Sequence, residues 1–111
     1  MRLFLFFFLF AFCLSSLFAK EMTGKEIFYN VKGKFGSCNH CHSGGGSAGR
    51  WDFENSEISA DEGKKIPSLK GLGKRKNPDQ IERSIGLMMK WFKFKLTDEQ
   101  ITKLTEYVAT L

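Results

Sequence analysis

Cysteine is scarce in this chain. Its 111 residues hold three, Cys13, Cys38 and Cys41, beside two histidines, His40 and His42. Cys13 falls in an apolar leader, so the remainder carries a single pair three residues apart. Joining two cysteines that close constrains little chain, and a disulfide there would stabilise weakly. A second cluster of soft ligands is missing. Structural zinc takes four ligands in a tetrahedron, which Cys38, His40, Cys41 and His42 cannot readily supply from five consecutive positions. No convincing run of alternating apolar residues occurs, so no significant sheet is expected. A thioredoxin-like dithiol, which belongs on a central sheet, loses its support. No internal repeat is visible.

The leader is MRLFLFFFLFAFCLSSLFA, with one charge at Arg2, a nearly unbroken apolar run from Leu3 to Leu14, then Ser15, Ser16 and Ala19. This is the pattern of a secretory signal peptide cleaved after Ala19. A retained membrane anchor is the alternative, but the run is shorter than the roughly 20 residues of a spanning helix. Lipidation at Cys13 is disfavoured because Phe12 precedes it where a small residue is required. The expected organisation is a cleaved signal at 1–19 and one domain at 20–111, exported to a periplasm.

Charge is unevenly placed on the exported part, whose net value is about +4 once Arg2 is removed from the full-chain +5. Asp52 to Glu62 carries five acids and no base, and Lys64 to Lys76 six bases and no acid. For an exported protein this favours an acidic protein surface as partner over nucleic acid.

Three segments read as helices. Thr23 and Glu26 have capping-box spacing, and Gly24, Ile27, Phe28 and Val31 share a face; the helix is expected to end near KGKFG. Asn77, Pro78 and Asp79 open a second, with Ile81, Ile85 and Met88 or Met89 on one side. Thr97 and Gln100 cap a third, striped by Ile101, Leu104, Tyr107 and Val108. Between the first two runs a long glycine-rich, then acidic, then basic stretch, Ser43 to Lys76. So long a connection is reasonable if it wraps a large apolar ligand that serves as missing core.

The stretch GSCNHCHS names that ligand. Cys38, Cys41 and His42 form C-x-x-C-H, the attachment pattern of c-type haem. Two thiols on one local turn reach the same porphyrin edge as thioethers, and the next histidine faces the iron. His40 occupies a variable position and is expected to face outward. A ligand for the opposite face comes from Met88 or Met89, the only methionines after the site. A His/Met pair raises the reduction potential.

These features together resemble a class I monohaem c-type cytochrome over nearly all of 20–111. The resemblance implies an all-α, cytochrome c-like fold: three main helices and long loops around one covalent haem, with the N- and C-terminal helices crossing. Gly24 and Phe28 match the family's crossing residues on the first helix, and Leu104 and Tyr107 those on the last. The family's short loop from axial methionine to the Leu-Thr helix start favours Met89 over Met88. Pro67 resembles the proline whose carbonyl accepts from the proximal histidine. Departures are the ten residues from Phe28 to Cys38, the long span from His42 to Pro67, and the lack of proline after Met89. Trp51 and Trp91 are read as apolar packing, with a haem propionate or pocket contact as the other use.

With both axial positions filled, no site remains for substrate, and no general base or nucleophile stands out. The resemblance implies a monomeric one-electron carrier between respiratory redox partners, not an enzyme. Lys64, Lys65, Lys70, Lys74, Arg75 and Lys76, with Lys90, Lys93 and Lys95, then ring the haem edge for docking, or form a solvated face. Two alternatives are the haem subunit of a larger oxidoreductase, since GKEIFYNVKGKFGSC is similar to the small cytochrome subunit of thiosulfate-oxidising Sox complexes, and a haem-based ligand sensor.

Overall fold

The computed structural model describes residues 21–111. The expected signal peptide and its cleavage point lie outside the described residues. Helix α1, Gly24–Asn30, opens on a reciprocal capping box between Thr23 and Glu26. It stops at extended Val31, earlier than the glycines suggested. KGKFG forms instead a tight antiparallel hairpin, β1 (Lys32–Gly33) with β2 (Gly36–Ser37).

A one-turn helix α2, Cys38–Cys41, follows directly, and the chain then folds through a 3-10 turn at Ser43–Gly45. Gly44 and Gly45 both have positive φ, 58° and 85°, which glycine adopts without Cβ strain. Gly45 is buried against the Leu111 side chain.

The expectation of no significant sheet is corrected here. β3 (Arg50–Asp52) pairs antiparallel with β4 (Glu57–Ser59) on one side and β5 (Lys64–Lys65) on the other. With two or three residues each, these strands are too short for alternation to register. Buried Trp51 fixes the central strand, and Asp52 ties the turn by accepting from the Glu54 and Asn55 amides and the Asn55 side chain.

Beyond buried Ile66, a second one-turn helix α3 (Leu72–Arg75) leads to the long α4, Pro78–Phe92. Asn77 caps α4 as expected. Gln80 Oε1 accepts from the Asn77 amide, completing a capping box. Helix α5, Asp98–Val108, starts on the anticipated Thr97–Gln100 box.

Among the described residues, three main helices therefore build a mostly helical fold. Ile27 and Phe28 of α1, Ile81 and Ile85 of α4, and Leu104 and Val108 of α5 form its continuous apolar core. α1 crosses α5 at Gly24, where a methyl group would overlap the Lys103 carbonyl oxygen and lie 2.7 Å from Tyr107 Cβ. Phe28 and Tyr107 meet with ring centroids 5.6 Å apart. The four crossing residues inferred by resemblance stand at that contact or in the core beside it.

Candidate functional site

The turn of α2 brings the two sulfurs and the imidazole together because its spacing is one helical repeat. Cys38 and Cys41 stand at its two ends, and the His42 amide closes it on the Cys38 carbonyl at 2.9 Å. Asn39 then accepts from the Gly44 amide at 2.8 Å, and the Ala48 amide reaches the Cys41 carbonyl at 2.8 Å. The glycine-rich turn thus folds back under the cysteines and braces the segment.

His42 is oriented from a distant part of the chain. Its Nδ1 lies 2.9 Å from the Pro67 carbonyl oxygen. That oxygen only accepts, so Nδ1 carries the proton and Nε2 keeps its lone pair. Burial pushes the imidazole below its ordinary value, opposed in part by backbone contacts from Pro67 and Gly46. Burial keeps the ring neutral, and the Pro67 bond defines its tautomer.

Cys38 and Cys41 are free thiols. Burial pushes Cys38 up to about 11 and also raises Cys41. Both thiols are thus harder to ionise than an ordinary exposed cysteine. Among the described residues, no three His, Cys, Asp or Glu side chains converge as a metal cluster.

Cys38 and His42 open onto a cleft of about 520 Å³, open solvent at its mouth included. Phe28, Leu69, Leu72, Ile81 and Ile85 supply much of its apolar wall. Met88 and Met89 line it too, both inside α4, which continues past them to Phe92. Ile81, Ile85 and Met89 follow at i, i+4 and i+8, one column of the buried face. Ser84 and Met88 form the adjacent column.

The structure thus gathers Cys38, His42, Met88 and Met89 around one cleft. Cys41, half-buried on the same turn, does not line it, and Pro67 touches the site only through His42. His40 is exposed, as expected. Neither tryptophan borders the cleft: Trp51 is packed elsewhere, and Trp91 is exposed on α4. Phe94, Leu96 and Ser84 were not singled out from sequence. Alternation in KFKL around Phe94 is the signal that could have found it, and Ser84 has none.

An apolar cleft bordered by a neutral imidazole, the Cys38 thiol and two thioethers suits an apolar group with a soft metal centre. The family comparison agrees. The Cytochrome c family model matches residues 22–111. The chain belongs to the cytochrome c family. No curated protein and no solved structure matches it. Family membership implies covalently bound haem c and haem-based electron transfer, and an electron carrier rather than an enzyme. Among the described residues, no helix is long and apolar enough to cross a membrane.

Proposed function

We propose that this protein is an exported, periplasmic, monomeric one-electron carrier between respiratory redox partners. Cys38 and Cys41 would hold haem c through two thioethers, with His42 and Met89 as the iron's protein ligands and Met88 the alternative to Met89. The observation that carries this reading is the single cleft shared by Cys38, His42 and both methionines. When bound, haem c supplies a one-electron ferric/ferrous couple.

The chain's own residues do the rest. Pro67 holds the His42 ring by its Nδ1–H and increases its donor strength. Phe28, Leu69, Leu72 and Ile85 exclude water, and low local polarity raises the potential of a centre that gains charge on oxidation. Met89 is favoured as ligand because it continues the Ile81–Ile85 column and packs on the core, which limits the rotamer freedom lost on ligation. Exposed lysines around α3 and at the end of α4, including Lys70, Lys74, Lys90 and Lys93, suit an acidic docking surface.

Intact mass and visible spectrum of the purified protein are the primary test. One haem added covalently, lost when both Cys38 and Cys41 are replaced, is expected; a colourless folded protein overturns the reading. Met89→Ala, but not Met88→Ala, should abolish the sulfur-to-iron charge-transfer band of the oxidised form. Transfer to an acidic partner should slow as salt rises, and rates indifferent to ionic strength would remove the docking role. Copurification of a second chain would replace the free carrier with a complex subunit.

A further inference from the structure

Two segments, the hairpin before the cysteines and the small sheet after them, meet at one place outside the main core. Phe35, in the β1–β2 turn, lies 5.2 Å between ring centroids from Trp51 on β3 and 6.3 Å from Phe92 at the end of α4. Trp51 and Phe92 are 5.4 Å apart, edge to face. The three rings close a triangle, and none belongs to the apolar core formed by α1, α4 and α5. Trp51 is nevertheless 5 % exposed.

The backbone at the same point is also tied. The Phe92 carbonyl accepts the Lys34 amide of the hairpin at 2.7 Å. A methyl group on Gly33 would overlap that carbonyl oxygen, so the hairpin lies directly on the helix end. The Met89 carbonyl in turn accepts from Lys93 and Phe94, closing the last turn of α4 on the methionine's own peptide. Phe92 stands three residues beyond Met89 and four beyond Met88, one turn along the same helix.

We propose that Trp51, with Phe35, is a positioning residue: the two segments clamp the C-terminal end of α4 and thereby hold the methionine sulfur in the cleft. A ligand carried on the last turns of a helix moves whenever that end frays. The helix end leaves its final carbonyls without intrahelical partners, and fraying begins there. Here the hairpin amide and the aromatic triangle occupy it from outside. The proposal rests on methionine ligation as read above.

The test titrates imidazole into the oxidised, haem-loaded protein and follows loss of the sulfur-to-iron band, comparing wild type, Trp51→Phe, Trp51→Ala, Gly33→Ala, Met88→Ala and Met89→Ala. Trp51→Ala should bind imidazole about tenfold more tightly, which is roughly 1.4 kcal/mol of ligand-bond opening. Trp51→Phe, which keeps a ring against Phe92, should restore most of the wild-type resistance. Gly33→Ala tests the clamp from its other side and should shift in the same direction. Wild-type imidazole affinity in both Trp51→Ala and Gly33→Ala, with the band intact, overturns the clamp. If the wild-type oxidised protein shows no such band, methionine ligation itself fails, a result distinguishable from failure of the clamp alone.

Discussion

Replacing Gly24 by alanine tests the helix crossing on which the whole domain is built. The new methyl would overlap the Lys103 carbonyl oxygen and stand 2.7 Å from Tyr107 Cβ and 3.0 Å from the Lys103 carbonyl carbon. Two of these three neighbours are backbone atoms of α5, and no rotamer change can relieve them. α1 and α5 must move apart, which also loosens the contact between Phe28 and Tyr107. Overpacking of this kind costs about 1–3 kcal/mol. Gly24 is the first residue of α1, where alanine's helix preference offers little in return. For a domain of this size the loss lowers Tm by roughly 5–20 °C. Gly86 supplies the control: it lies inside α4, and a methyl there meets nothing within 4 Å. Gly86→Ala should therefore stabilise by about 1 kcal/mol through helix propensity alone. Thermal unfolding of both variants, followed by circular dichroism, decides the matter. The reasoning is refuted if Gly24→Ala melts at or above wild type.

Three further outcomes follow from individual sites. Lys93 ends α4 with φ 59° and ψ 45°, a left-handed cap in which a side chain is strained; Lys93→Gly should gain about 0.5–1 kcal/mol, read as a higher denaturation midpoint. Phe28, 1 % exposed and part of the cleft wall, should cost about 3–5 kcal/mol as Phe28→Ala, with haem retention falling in parallel under mild denaturant. Bonds from the Asn55 side chain, then the Asn55 and Glu54 amides, hold the Asp52 carboxyl below its ordinary value of 3.8. A depressed carboxylate stabilises fully above 3.8 and loses that contribution as pH falls through the lower folded value. Protection of the Glu54 and Asn55 amides, measured against their intrinsic exchange rates, should therefore fall only in that acid window, and Asp52→Asn should remove that pH dependence.

Much of the fold was legible because its signals are local. Capping boxes at Thr23 and Thr97, and Pro78 after Asn77, mark helix starts through bonds within four residues, and all three helices begin there. The periodic stripes give the core directly, since Ile27, Phe28, Ile81, Leu104 and Val108 need only one-sided burial to be recognised. The small sheet escaped notice because β3, β4 and β5 are shorter than one readable alternation. Trp51 looked like generic packing because its partners, Phe35 and Phe92, lie 16 residues before it and 41 after it in the chain.

Cys38, Cys41 and His42 are a property of the sequence itself: their chemistry is fixed by residue type and spacing on one turn, whatever surrounds them. Other features exist only in three dimensions. The Pro67 carbonyl meets His42 across 25 residues, and the end of α4 at Phe92 is bonded to a hairpin more than 50 residues upstream. Spacing along a chain determines what neighbouring side chains can do together. Only packing decides which distant carbonyl, ring or sulfur comes to lie beside them.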